Sequence, residues 1–231
     1  MKQFCRLAAI LPAVLLCIFL SSCADVDARL TLSASGVCSL RLHYAVSAMA
    51  IALDETSGGR ALLPFPVSRS SYSTALQNVP GASLVSYKSS ETNRDYIVDA
   101  ELSFPSMEGL AEFVNSQGTE RVQYSAETSG RTLRILLSPG AEPARAAGGM
   151  AAAGAAPDPG AAQNASVDPD LGRCIDAAFG PYTVSIVIDL PARARAVQGG
   201  RLSDDGREAS CSSPAAALAK SAEPQYFELV W

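Results

Sequence analysis

The chain has 231 residues and a formal net charge of −5, with 18 Lys and Arg against 23 Asp and Glu. This length can form one large domain or two small ones. An acidic chain is a poor nucleic-acid binder, because it repels the phosphate backbone, and we expect no nucleic acid as a partner. The sequence also has no basic patch for anionic lipid headgroups, so membrane attachment has to come from another feature of the chain.

The first residues have the pattern of an export signal. Lys2 and Arg6 give a positive start, and Leu7 to Leu20 is a run of fourteen uncharged residues, as in a secretory signal peptide. The run is too short for a transmembrane helix, which needs about 20 apolar residues. We therefore expect residues 1–22 to be a signal peptide that is removed on export.

The segment Leu20-Ser21-Ser22-Cys23 resembles the lipobox of bacterial lipoproteins, in which an aliphatic and two small residues precede an acylated cysteine. The resemblance implies that Cys23 receives a diacylglycerol and becomes the new amino terminus. Two or three acyl chains hold a protein stably at a membrane, because each buried methylene contributes about 0.8 kcal/mol. The implied location is extracytoplasmic, lipid-anchored to the cell membrane or outer membrane, in the periplasm or at the surface. The alternatives are a simple secretory signal that happens to end in a cysteine, and an anchor helix that is never cut.

Three cysteines lie beyond the lipobox, namely Cys38, Cys174 and Cys211. Because exported proteins usually pair their cysteines, an odd count predicts one disulfide and one free thiol. Cys38 shares a strand face with apolar residues and is expected in the core, which leaves Cys174 and Cys211 as the candidate disulfide. No two of these cysteines have the spacing of metal ligands, and we expect neither a metal nor another cofactor.

The chain after the lipobox begins with a predicted β-hairpin. Two-residue alternation predicts strands over 29–33 and 37–47, joined by a turn at Ala34-Ser35-Gly36. In the second strand Arg41 and His43 lie on one face, and the opposite, apolar face carries Leu40, Leu42, Tyr44 and Val46. One face of the sheet is therefore expected to contact water.

Residues 70–138 predict further hairpins and two helices. A weak helical pattern covers 70–78, and a stronger helix is expected from Ser106, as the capping residue, to Asn115. Turn residues separate the remaining alternating segments. These segments predict strands over 84–89, 94–104, 120–127 and 131–138.

The composition changes at Pro139. Of the 24 residues from 139 to 162, 20 are Ala, Gly or Pro, which bury too little apolar surface to offset the entropy of ordering. We expect 139–167 to be a flexible linker. The chain beyond it predicts a helix over 168–178 and strands over 182–190, 195–197 and 226–231.

Hairpins with helices between them predict an α+β fold. The expected architecture is an antiparallel β-sheet built from hairpins, with about two helices packed on one face and an Ala/Gly/Pro-rich interruption. The predicted organisation is a signal peptide (1–22), a lipidated tether (23–28), an α+β domain (29–138), a linker (139–167) and a C-terminal helix and strands completing the same domain (168–231).

The arrangement of these segments resembles the LppM-like bacterial lipoproteins. A lipobox cysteine precedes the hairpin at Ala34-Ser35-Gly36, Leu102-Ser103-Phe104 leads into Ser106-Met107-Glu108-Gly109-Leu110, and a strand over 183–191 precedes Gly199-Gly200 and a terminal aromatic residue. The resemblance implies an extracytoplasmic α+β domain that contacts lipids or glycolipids. It supplies no catalytic residues.

Residues typical of catalysis are few. His43 is the single histidine, and Asp99 and Glu101 share a polar strand face. Charged residues on a solvated face are usually not catalytic, and a triad would need a nucleophile next to the histidine. Asp204-Asp205-Gly206 lacks the ligand spacing of a calcium loop and predicts a turn. We therefore expect that the protein is not an enzyme.

The sequence also contains aromatic residues that could form an apolar binding pocket. Strand aromatics usually fill the core, although a group of them can also line an apolar pocket. The residues concerned are Tyr72, Tyr87, Tyr96 and Tyr124.

The favoured function is a non-catalytic, membrane-anchored protein that binds a lipid, glycolipid or other apolar ligand between sheet and helices. The alternative is a structural lipoprotein that scaffolds an envelope complex, with 226–231 as an exposed edge strand. The expected partners are the membrane, through the acyl chains, and either an apolar ligand or an envelope protein.

Replacing Cys23 with Ala should abolish incorporation of a fatty acid, because Cys23 is the predicted acylation site. Cells are grown with a labelled fatty acid, and label in the immunoprecipitated protein is compared with that of the native chain. Cys17→Ala, in the same apolar segment, is the control and should keep the label. Equal labelling of Cys23→Ala and the native chain would contradict the lipobox.

Overall fold

The computed structural model describes residues 24–47, 51, 65–93, 95–116, 120–128, 130–140 and 182–231. Cys23, Cys174 and most of the Ala/Gly/Pro-rich segment lie outside these residues. The acylation site, the linker and the helix over 168–178 therefore stay predictions.

Strands make up most of the described residues, and the α+β class is confirmed. In chain order the elements are β1 (Ala24–Leu32), β2 (Cys38–Ser47), α1 (Arg69–Gln77), β3 (Ser83–Glu91), β4 (Asp95–Phe104), α2 (Met107–Asn115), β5 (Val122–Glu127), β6 (Gly130–Ser138), β7 (Thr183–Asp189), β8 (Ala196–Gln198), β9 (Arg201–Leu202), β10 (Glu208–Pro214), α3 (Ala215–Ala219) and β11 (Gln225–Val230). Among the described residues, no helix has both the length and the apolar character needed to cross a membrane.

The described strands form two sheets. The larger sheet has the order β3-β4-β2-β1-β7-β10-β9, and the smaller one has the order β5-β6-β11-β8. Neighbouring strands are antiparallel except β1 and β7, which run parallel. The sequence predicted the hairpins but not the second sheet or the parallel pair, because strand periodicity identifies the buried face without identifying the neighbouring strand.

The first hairpin follows the predicted alternation. The inward residues of β2 are buried, and Arg41 and His43 are exposed on the opposite face. The predicted start of β1 was wrong, because the strand begins at Ala24 rather than Arg29. Val26 is buried and Asp27 is exposed. The alternation of inward and outward side chains therefore extends into residues 24–28, which were predicted to belong to a tether.

Two side-chain hydrogen bonds fix the start of β7 against the hairpin strands. The backbone N–H of Thr183 donates to Asp25 Oδ1 at 2.9 Å, and the Tyr182 hydroxyl donates to Asp95 Oδ1 at 2.7 Å. These contacts join parts of the chain that are distant in sequence. They link the start of β7 to the first residues of β1 and β4.

Serine side chains cap the two longer described helices. Ser68 Oγ accepts from the Ser71 N–H at 3.1 Å at the start of α1, and Ser106 Oγ accepts from the Gly109 N–H at 3.3 Å at the start of α2. Each cap satisfies an N–H group that has no partner within the helix. The capping role predicted for Ser106 is confirmed.

Phe113 of α2 joins the helices to the larger sheet. Its ring centroid lies 5.4 Å from that of Phe104 on β4 and 6.4 Å from that of Tyr72 on α1. All three side chains are fully buried. The inner face of the larger sheet and the helices therefore share one aromatic core.

The C-terminal part contains elements that the sequence did not reveal. The inward residues of β10 are Ala209 and Cys211, which are small and alternate with serines, so the hydrophobic pattern is weak. The predicted strand at 226–231 is present as β11, but its prediction as an exposed edge was wrong. It lies between β6 and β8, and hydrogen bonds link it to both.

Truncating Phe113 to Ala should lower the free energy of unfolding by about 3–5 kcal/mol, because it leaves a cavity among buried rings. The measurement is equilibrium denaturation in urea. Glu112→Ala, an exposed change on the same helix, should stay within about 0.5 kcal/mol of the native protein. Equal stability of both variants would contradict the described packing of α2.

Candidate functional site

An apolar cavity of about 120 Å³ lies between the two sheets and α2. The larger sheet contributes residues of β1, β2 and β7, and the smaller sheet contributes residues of β5 and β6. Aliphatic side chains form most of the wall. Those used below are Ala28, Leu30, Leu110, Val114, Ile135 and Ile186.

Ala28 explains why space remains at this point. It lies on the inward face of β1, directly opposite Leu42 of β2 and Ile186 of β7. Its neighbours in that inward row, Val26 and Leu30, are larger and buried. The methyl group of Ala28, between two larger aliphatic side chains, leaves a depression in the inner surface of the sheet, and the cavity lies at this depression.

The volume limits what the cavity can hold. An apolar cavity of about 150 Å³ is known to stay dry and to accept one benzene molecule, whereas sites for drug-sized ligands have about 300–1,000 Å³. The described cavity therefore fits one narrow group, such as a ring or about six carbons of one alkyl chain.

Arg121 is the charged residue in this wall. It directly precedes β5 and is partly exposed, and burial lowers the pKa of its guanidinium, an effect that the nearby Tyr44 opposes. Among the described residues its guanidinium has no carboxylate partner.

Asn115, at the end of α2, holds Arg121 in place. Its Oδ1 accepts from the backbone N–H groups of Arg121 at 2.8 Å and Val122 at 2.9 Å, and its Nδ2 donates to the Val122 carbonyl at 2.8 Å. Three hydrogen bonds from one side chain thus join the helix end to the first residues of β5. Sequence reasoning missed both Arg121 and Asn115, because neither stands out in the strand and helix periodicity.

A second, polar hollow of about 340 Å³ lies on the open face of the larger sheet. The charged residues singled out from the sequence meet here. His43 Nδ1 is 2.8 Å from Asp99 Oδ1, and Arg41 Nε is 3.2 Å from Glu101 Oε1. In the described part of the chain, no serine hydroxyl or cysteine thiol hydrogen-bonds to His43, and no three His, Cys, Asp or Glu side chains are grouped as metal ligands.

Arg29 continues this pattern of cross-strand charge pairing. It donates to both carboxylate oxygens of Asp189, from Nε at 2.8 Å and from Nη2 at 2.6 Å, and from Nη2 to Glu208 Oε2 at 3.0 Å. Half of the Arg29 side chain is exposed, so such pairs contribute at most about 1 kcal/mol each. The open face thus carries paired charges, in contrast to the cavity wall.

The predicted core position of Cys38 is confirmed, since its side chain is fully buried. Cys211 is also buried, and burial raises the pKa of the Cys38 and Cys211 thiols to about 11. Cys174, the proposed partner of Cys211, lies outside the described residues. The disulfide therefore stays a prediction.

The tyrosines contribute to the core rather than to the cavity. Tyr72 is fully buried, and partly buried Tyr87, Tyr96 and Tyr124 pack against the same core. The aromatic residue in the cavity wall is Phe65, which the sequence did not single out.

No protein-family model matches the chain, and no curated protein matches it significantly. Among solved structures, the NMR structure of the Mycobacterium tuberculosis LppM protein folded domain is similar, with a TM-score of 0.46 and 11% sequence identity. The alignment covers 92% of this chain and 91% of that chain. At this TM-score and identity, the likeness transfers no function to this chain.

Replacing Asn115 with Ala should destabilise the fold by about 2–3 kcal/mol, because partly buried N–H and C=O groups at the start of β5 lose their partner. Thermal and urea denaturation measure the loss. Asn78, at the C-terminal end of α1, is exposed, and Asn78→Ala is the control, expected within about 0.5 kcal/mol. A native-like Asn115→Ala protein would show that this contact does not hold β5.

Proposed function

We propose that this protein is a non-catalytic, membrane-anchored lipoprotein that binds a lipid, a glycolipid or another apolar ligand between its two sheets. The observation that carries the proposal is the apolar cavity under α2, lined by residues from both sheets. Apart from Arg121, the wall of this cavity offers water few polar partners. An alkyl chain, by contrast, gains free energy on entering.

The expected affinity is modest for a free short chain. Burying about six methylenes contributes about 5 kcal/mol, at about 0.8 kcal/mol each, and loss of translational and rotational freedom offsets much of it. A ligand delivered from a membrane has a high local concentration. The proposed acyl anchor at Cys23 therefore fits the proposed ligand, because it holds the cavity close to a reservoir of alkyl chains.

The scaffolding alternative has less support. It relied on residues 226–231 as an exposed edge strand for a partner, and β11 instead lies between two strands of the smaller sheet. Purification of the chain with an envelope protein, and without any amphiphile, would favour that alternative.

An uncharged eight-carbon alkyl diazirine should label the cavity when the full-length protein is irradiated in phosphatidylcholine nanodiscs. Peptide mass spectrometry is expected to place the label on α2 and β6. Filling the cavity with Ala28→Leu should lower this labelling at least tenfold, because the added carbons occupy the space next to Ile186.

Ala45→Leu is the matched control. Ala45 is on the neighbouring strand β2 at an outward position, opposite Asp25, and outside the cavity wall, so labelling of α2 and β6 should not change. Labelling that is confined to other surfaces, or that is undiminished in Ala28→Leu, would disprove binding in the cavity.

A further inference from the structure

Three arginines of the described residues lie in two different environments. Arg29 and Arg41 lie on the open face of the larger sheet, and each pairs with carboxylates of neighbouring strands. Arg121 lies in the wall of the apolar cavity, and the described residues supply no carboxylate to it. The guanidinium groups of Arg29 and Arg41 are thus paired, while that of Arg121, in the cavity wall, has no counterion among the described residues.

A partly buried guanidinium without an anion beside it loses part of its hydration and gains no ion pair in return. Arginine keeps its proton under all ordinary conditions, so it cannot avoid the cost by becoming neutral. Removing a charge from water without a partner is strongly unfavourable. Asn115 fixes the backbone of Arg121 with its side-chain hydrogen bonds, so the arginine side chain starts from a fixed point in the cavity wall.

We propose that the cavity is selective for a single-chain carboxylate amphiphile, such as a fatty acid, whose carboxylate pairs with the guanidinium of Arg121 while its alkyl chain lies against Leu110, Val114 and Ile135. This inference rests on the function proposed above. It specifies the head group of the proposed apolar ligand, and therefore the chemical class of that ligand.

Geometry and volume favour this ligand class. A guanidinium presents parallel N–H groups that match the two oxygens of a carboxylate, and such charge-assisted pairs are roughly twice as strong as neutral hydrogen bonds. A cavity of about 120 Å³ fits one chain and leaves no room for a second. The carboxylate thus supplies the missing counterion, and the chain fills the apolar space.

The test compares octanoate with 1-octanol, which have equally long chains and differ in head-group charge. Both compete with the alkyl diazirine for the full-length protein in phosphatidylcholine nanodiscs. Competition is compared at measured free competitor concentrations, which corrects for partition into the bilayer. Octanoate should compete at least tenfold more strongly than octanol. Octyltrimethylammonium, with the opposite charge, should compete more weakly than either.

Variants of Arg121 assign this preference to one side chain. Arg121→Gln should reduce the octanoate preference to within about twofold of octanol, and Arg121→Lys should keep part of it. Arg69→Gln, at an exposed arginine on α1, is the control and should behave like the native protein. If circular dichroism shows that Arg121→Gln does not fold, the proposal is tested by the comparison of the three ligands in the native protein and by the Arg121→Lys variant.

The outcomes separate the two proposals. Equal competition by octanoate and octanol in the native protein would overturn the role of Arg121 and leave apolar binding intact. A preference that persists in folded Arg121→Gln would also overturn it. Failure of both competitors to displace the probe would instead disprove the proposed function itself.

Discussion

The parallel pairing of β1 with β7 is the contact on which the rest of the structure depends. It joins residues 183–189 to the first hairpin across a long stretch of chain, and β10 and β9 extend the same sheet from β7. It also places Ile186 beside Ala28, so one wall of the cavity exists only when this pair has formed. Fold and candidate site therefore share one non-local contact, whose formation has to overcome the entropy of closing a long loop.

The local structure was largely readable from the sequence, and the contacts between distant segments were not. Alternation located the buried face of β2, and Ser106 marked the start of α2, because both signals act over a few residues. Pairing of β1 with β7 leaves no local signal, and β10 was missed because its inward residues are small. The cavity was hidden for a related reason, since Ala28 is notable only once its neighbours in register are known.

Charge is distributed differently on the two sides of the larger sheet. On the open face, acidic and basic residues meet across strands, as Arg41 and Glu101 do, and solvent screens them. The inner face is apolar, and Arg121 is the exception in the cavity wall. A partly buried charge interacts more strongly with an ion than a fully exposed one, because the local dielectric is lower. This is the physical basis of the head-group selectivity proposed above.

The start of β1 at Ala24 has a mechanical consequence for a protein anchored through Cys23. If Cys23 is acylated, no linker residues separate the lipidated cysteine from the first strand. The folded domain could then neither reorient freely nor extend far from the bilayer. The anchored end of the larger sheet would stand at the headgroup layer in a restricted range of tilts. An anchor at Cys23 would thus keep the larger sheet close to the membrane that holds it.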